Sequence, residues 1–222
     1  MINMVFNKDC MEDMRHYSDN YFDIAIVDPP YGGILNKKVG HGKLKESLAR
    51  YGGGDWDYAP DEEYFWELLR ISKNQIIWGG NYFIDKIKKP SSCWIVWNKL
   101  NGKSHYADCE LAWTSFTTAT RMHEQTVQSY MKDRIHPTQK PVELYEFLLN
   151  EYIKDYSNVI MLDTHVGSGS SRIAAGKFEI NYIGYEISKT YYDKQEQRFK
   201  DYESQLNLIN KENYNARKRK KG

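Results

Sequence analysis

The chain has 222 residues, 31 lysines and arginines against 30 aspartates and glutamates, a formal net charge of +1, and 14% aromatic residues, among them 18 tyrosines and 6 tryptophans. That length suits one well-buried domain, 1–222, with no obvious linker, and near-neutrality means that any nucleic-acid partner must be held by a local basic surface. Cys10, Cys93 and Cys109 are odd in number and lack C-x-x-C spacing, which argues against a disulfide framework or a zinc site and for a reduced, cytoplasmic setting, while no apolar run approaches the ~20 residues of a membrane span and the N-terminus lacks a signal-peptide pattern.

A first strand is expected over 2–6, with Asp9 and Cys10 just past its end. Asp9 reads first as the cap of a helix over 11–16 and second as a ligand-facing carboxylate. The apolar, β-rich run 23–27 is too short for a helix and predicts a buried strand that ends at Asp28-Pro29-Pro30-Tyr31. Two prolines fix φ twice and remove two backbone donors, so this turn is stiff and rich in acceptors. Such a loop suits a flat heterocycle carrying an amino group: Asp28 and the Pro29 carbonyl could accept its two hydrogens, and Tyr31 offers a stacking face. A plain proline turn closing a strand is the bland alternative.

The stretch 32–58 has no clear period and reads as a long loop. A packing helix is expected over 61–72, with acidic residues in its first turn. Strands over 75–78 and 93–97 are separated by the Gly79-Gly80-Asn81 turn and a short helix. A further strand over 111–116 precedes an irregular, Thr-rich segment through 132, in which and beside which Arg121, His123, Lys132 and Arg134 form a loose basic set. The run from His136 through Pro141 introduces a helix whose inner face is Tyr145, Leu148, Leu149 and Tyr152, with Pro141 in the first turn and Lys140 beside an N-terminus able to receive a carboxylate.

A strand over 159–162 ends in Asp163, and Gly167-Ser168-Gly169-Ser170 leads into a helix over 172–177. The next strand, 182–185, ends at Glu186, about 20 residues after the glycines, where nucleotide folds keep a carboxylate for ribose hydroxyls. A polar helix over 189–209 and a basic tail within 211–222 close the chain; a tail of that kind is usually disordered, with weak phosphate binding as its other reading. The histidines His105, His123, His136 and His165 show no metal-ligand spacing and read as structural.

Strand, glycine turn, helix, strand and acidic residue make half of a dinucleotide fold and on their own leave an NAD-binding oxidoreductase open. Taken together, however, Asp28-Pro29-Pro30-Tyr31, His136-Pro137-Thr138-Gln139-Lys140-Pro141 and Asp163 through Gly167-Ser168-Gly169-Ser170 resemble the S-adenosylmethionine-dependent amino-methyltransferases of DNA, over nearly the whole chain. Catalytic motif first and cofactor glycines later is the order of that family's β group. The resemblance implies an α/β fold: a Rossmann-like, mostly parallel sheet with helices on both faces, in a circularly permuted methyltransferase order that makes the strand 2–6 the sheet's third.

It further implies catalysis by Asp28, Pro29, Pro30 and Tyr31, with Asp9 and Cys10 at the cofactor's adenine, Glu186 on its ribose, Asp163, Gly167, Ser168 and Gly169 lining it, and Lys140 near its methionine end. The substrate implied is the N6 amine of an adenine flipped out of DNA, in a restriction-modification setting, with recognition loops at 33–58 and 117–134 and room for a homodimer. Aspartate first in the motif favours adenine in this family, and serine first favours cytosine N4, the nearest rival; an inactive binding subunit of the same fold is another. One departure stands out: Thr164-His165 replace the family's Pro-Phe after Asp163, which predicts a less rigid turn.

Overall fold

The computed structural model of the chain is described over residues 2–32, 58–102, 107–126 and 134–219, with side chains to 208. Its centre is an eight-stranded sheet. In chain order the elements are β1 (Asn3–Phe6), α1 (Met11–Met14), β2 (Phe22–Val27), α2 (Glu62–Ile71), β3 (Ser72–Trp78), a 3-10 turn (Gly80–Tyr82), α3 (Ile84–Ile87), β4 (Trp94–Asn98), β5 (Cys109–Thr114) and β6 (Arg121–Glu124). They are followed by α4 (Val142–Tyr152), β7 (Ile160–Asp163), α5 (Ser170–Lys177), β8 (Asn181–Tyr185) and α6 (Lys189–Arg219).

The strand order is β1-β8-β7-β2-β3-β5-β4-β6. Every pairing is parallel except those of β5, which runs against both β3 and β4. Winding reverses between β7 and β2: from β7 the chain moves outward to β8, and β1 lies beyond it, whereas from β2 it moves the other way to β3. That reversal opens a crevice at the carboxyl ends of β7 and β2, the place where open α/β sheets bind ligands. As the resemblance implied, the N-terminal strand β1 is the third strand outward in the half of the sheet that starts at β7.

Alternation along the strands builds two cores, one on each face. Ile24 and Ile26 of β2, Ile76 and Trp78 of β3 and Met161 of β7 point into a layer closed by Leu144, Leu148 and Leu149 of α4 and Ala174 and Ala175 of α5. Ala25 and Val27, Ile77 and Leu162 point the other way, onto Met14 of α1, Phe65 and Leu68 of α2 and Phe83 and Ile87 beside α3. Since β2 is covered on both sides, it reads as a continuous apolar run. Helix α2 starts where Asp61 caps it, accepting from the Tyr64 N–H at 3.1 Å, a hydrogen bond whose removal typically costs about 1 kcal/mol. Near its other end Arg70 donates to the carbonyls of Met14 and Tyr17, tying α2 to the end of α1 and the segment after it.

Three expectations need correction. The segment expected to be irregular contains β6, an edge strand paired in parallel with β4; its residues are mostly exposed, Met122 by 58%, so no apolar alternation announces it. Pro141 does not lie in the first turn of α4 but is its extended N-cap residue, φ −69° and ψ 152°. The helix expected to stop near 209 runs on through Arg219, into the supposed tail. Of the expected recognition loops, 33–57 and 127–133 lie outside the described residues, as does His105. No helix among the described residues is long and apolar enough to cross a membrane.

Candidate active site

The carboxyl edge of the sheet gathers the acidic residues singled out in the sequence: Asp28 follows β2, Asp163 ends β7, Glu186 follows β8 and Asp9 lies beyond β1. Beyond the end of β2, Asp28 has both carboxylate oxygens engaged. Its Oδ1 accepts from the Tyr31 hydroxyl at 3.1 Å and its Oδ2 from the Lys140 ammonium at 2.5 Å. Burial pushes the Asp28 carboxyl up, against the pull of Lys140. The Lys140 side chain is only 2% exposed, and its Nζ also lies 3.0 Å from Glu110 Oε2 and 5.1 Å from the centre of the Trp78 ring. Glu110 is paired in turn with Lys99 at 2.5 Å. Burial opposes its charge, yet Lys140 and Lys99 outweigh it and hold the carboxyl at about 2. Burial likewise opposes the charge of Lys140, whose two carboxylate partners nevertheless keep it raised.

Tyr31 sits where only glycine lets it. A Cβ on Gly79, which has φ +67°, would lie 2.1 Å from Tyr31 Cε1, so the ring packs directly on the turn after β3. One ring neighbour is Tyr82, stacked at 4.9 Å between centroids and itself 58% exposed; another is Phe83, edge-on at 5.9 Å. The proposed stacking face of Tyr31 therefore already has an aromatic partner at the surface.

The glycine turn is held from three sides. Glu186 accepts from the Gly167 N–H at 2.9 Å and from the Ser188 N–H at 2.8 Å, one on each carboxylate oxygen. Burial nevertheless pushes the Glu186 carboxyl up to about 7. Gly167 and Gly169 have φ of +54° and +76°, and a Cβ on Gly169 would meet Gln195 of α6 at 3.2 Å. Arg198 of α6 donates to the Ser168 carbonyl at 2.8 Å. Asp163 accepts from the Ser171 hydroxyl at 2.5 Å and the His165 N–H at 3.0 Å; burial raises its carboxyl to about 6.

Thr164 and His165 do not leave the turn loose. The Thr164 hydroxyl, in a residue 3% exposed, bonds the Tyr64 hydroxyl at 2.6 Å and His165 Nδ1 at 2.9 Å. Hydrogen bonds thus supply what the rings of a Pro-Phe pair would. Burial holds His165 neutral, down at about 4.

The His136–Pro141 run crosses this edge. The His136 ring lies 3.7 Å from where a Gly167 Cβ would stand and packs edge-on against Tyr191; burial, then Arg134, lowers its pKa to about 3. Gln139 is 5% exposed, accepts from the Ile135 N–H with its side-chain oxygen, and has an Nε2 without a partner among the described residues. An orphan donor in this loop, backbone glycines with open φ and a buried carboxylate beside them are groups that fit a ligand bearing a carboxylate at one end and a ribose at the other. Asp9 accepts from the Met11 N–H at 2.9 Å, a bond local to the start of α1, whose N-cap residue is Cys10 and not the expected Asp9. Cys10 is buried, which pushes its thiol up and keeps it an inert neutral group.

The fold thus brings Asp28, Tyr31 and Lys140 into one contact set and Gly167, Glu186 and Asp163 into a neighbouring one. Glu110, Lys99, Gly79 and Tyr64 were not singled out for the site. Glu110 carries no local signal, because only the antiparallel return of β5, which sets it opposite Trp97 of β4, delivers it to this edge.

The chain is 26% identical to the type II methyltransferase M.HinfI of Haemophilus influenzae over 94% of this chain and 71% of that one. Its fold matches the structure of the M1.HpyAVI–SAM complex, with a TM-score of 0.57 at 22% identity over 89% of this chain and all of the other. It also matches the cytosine-N4-specific PvuII DNA methyltransferase, with a TM-score of 0.59 at 13% identity over 90% of this chain and 86% of the other. A DNA methylase family model of the N6/N4 type matches residues 55–197, which include Lys140, Asp163, both turn glycines and Glu186 but not Asp28 through Tyr31. With more than half of its length matched, the chain belongs to the N6/N4 DNA methylase family.

Proposed function

We propose that this protein methylates the exocyclic N6 amine of an adenine flipped out of duplex DNA, with S-adenosylmethionine as the methyl donor. The cofactor supplies an electrophilic methyl group on a sulfonium. Everything else is positioning. An aromatic amine is a poor nucleophile because its lone pair is delocalised into the ring. Asp28 and the Pro29 carbonyl accept the two amine hydrogens, which favours a more tetrahedral nitrogen and turns its lone pair toward the methyl. Pro29 and Pro30 have no N–H to compete for those acceptors. Tyr31 stacks on the base, and Tyr82, already against Tyr31, is the ring that must make room for it.

Glu186 receives the ribose hydroxyls, its carboxylate held in place by the N–H groups of Gly167 and Ser188. The buried donor of Gln139 suits the cofactor's carboxylate. Asp163 holds the turn through His165 and Ser171. Sequence recognition is assigned to the loops at 33–58 and 117–134, with the basic tail as an added phosphate contact, and the companion of such an enzyme is a restriction endonuclease.

The observation that carries the reading is the half-buried Asp28 carboxylate, within the field of Asp163, at the crevice where the sheet reverses. Aspartate at that position is the reason for choosing adenine. The test is expression in a methylation-free host followed by mass spectrometry of the digested DNA. N6-methyldeoxyadenosine is expected, and N4-methyldeoxycytidine in its place would assign the protein to the cytosine reaction.

A further inference from the structure

We propose that Glu110 is a positioning residue for methyl transfer, a second berth that takes the Lys140 ammonium from Asp28 when the target amine arrives. The inference rests on the proposed function, in which Asp28 accepts from that amine. The difficulty it resolves is visible in the contacts of Asp28, whose two oxygens are both occupied, one by the Tyr31 hydroxyl and one by Lys140. Each oxygen can accept a second hydrogen bond, but the Lys140 ammonium draws on the negative charge of Asp28, and the amine meets a full-strength acceptor once that ammonium has moved away.

Of the two donors, Lys140 has somewhere to go. The same Nζ that lies 2.5 Å from Asp28 is 3.0 Å from Glu110 Oε2. A buried ammonium cannot simply be released, since an uncompensated charge in such a place is strongly unfavourable. Moving by a fraction of an ångström onto Glu110 keeps it paired. Glu110 is ready to receive it because its other oxygen is already fixed by Lys99 at 2.5 Å, and the Trp78 ring beneath Nζ favours the cation in either position. Charges alternate along the series Lys99, Glu110, Lys140 and Asp28, so the sum is zero before and after the move. No proton changes hands.

The remaining groups near Asp28 do not offer this service. Tyr31, Tyr145 and Asp163 act on it, but among the described residues Glu110 is the other carboxylate that forms an ion pair with Lys140. Because β5 runs antiparallel to β3 and β4, its first residues, not its last, lie toward the crevice.

The proposal predicts opposite responses from two neighbours. In Glu110→Gln, Lys140 stays on Asp28 and competes with the amine, so kcat falls on the order of 100-fold, the scale of a mispositioned reacting group. The acid limb of the kcat profile moves to lower pH, because Asp28 loses the carboxylate that opposes its ionisation. In Lys140→Met that limb moves to higher pH. Glu110→Asp restores much of the activity. The experiment measures methyl transfer to unmethylated genomic DNA against pH for the full chain and these variants, with S-adenosylmethionine affinity by calorimetry and thermal midpoints alongside.

Unchanged cofactor affinity with a lowered kcat and limbs displaced in opposite directions supports the proposal. An unchanged kcat in Glu110→Gln, or limbs that do not move apart, overturns it. Asp28→Ala is measured in the same series: normal transfer by that variant would instead remove the reading on which the proposal rests.

Discussion

Replacing Glu186 by glutamine separates what the carboxylate does for the ligand from what it costs the fold. The residue is 8% exposed, and burial moves its carboxyl from an ordinary 4.5 to about 7 despite two backbone N–H partners. A folded-state pKa above the unfolded one means that the folded protein holds the proton more tightly. The stability this group contributes is therefore complete below about pH 4.5 and is lost as pH rises through about 7. At about 1.4 kcal/mol per tenfold change, the loss is about 3 kcal/mol. Glutamine does not titrate, keeps one acceptor oxygen, and leaves either the Gly167 or the Ser188 N–H facing an amide NH2, a penalty of roughly 1 to 3 kcal/mol that does not depend on pH. The substitution should thus be more destabilising near pH 5 than near pH 8, by about 3 kcal/mol or roughly 6 to 12 °C in Tm for a chain of this size. Thermal unfolding of cofactor-free wild type and variant at the two pH values measures it. Groups common to both that do not act on Glu186, such as His136, cancel in the difference, whereas Asp163, whose charge acts on Glu186, contributes part of it. An equal penalty at both pH values would refute the claim that the buried Glu186 ionises at a cost.

Cofactor affinity should have the opposite pH dependence, falling roughly tenfold per pH unit below about 7 as Glu186 takes up the proton that ribose hydroxyls displace; a flat calorimetric profile would remove the ionised carboxylate from the ribose site. Gly79→Ala, whose Cβ would collide with the Tyr31 ring, should lower methyl transfer on the order of 100-fold without changing cofactor affinity, and a normal rate would show that Tyr31 need not sit where it does. Deleting residues 217–221 should flatten the salt dependence of DNA binding by about 0.9 for each phosphate that these residues neutralise, whereas an identical slope would assign them to another task.

The parallel half of the sheet was legible because burial on both faces forces unbroken apolar runs: 23–27 marked β2, and 159–162 with 182–185 marked β7 and β8, each within a residue or two. The glycines and Glu186 were legible for a related reason, since only a few residue types allow open φ and a carboxylate at a strand end. β6 was hidden because an edge strand is fixed by main-chain pairing with β4 and needs no apolar pattern. The Glu110–Lys140–Asp28 contacts were hidden because they join residues far apart in the chain through sheet topology. Lys140 was expected at the cofactor's methionine end, and its position against Asp28 follows from the depth at which the His136–Pro141 run crosses the edge. Thr164 shows a different limit: the sequence displays the absence of a rigid Pro-Phe pair, but not the Tyr64 hydroxyl, 100 residues away, that anchors its replacement.

The central claim is that the Asp28 carboxylate acts on the target amine and not on the cofactor. Its most direct test is the Asp28→Ala variant, assayed at saturating S-adenosylmethionine for methyl transfer to unmethylated genomic DNA, with cofactor affinity measured on the same preparation. Since Asp28 contacts Tyr31 and Lys140 but not the glycine turn or Glu186, transfer should vanish while cofactor affinity stays at the wild-type value. Transfer at the normal rate would contradict the claim.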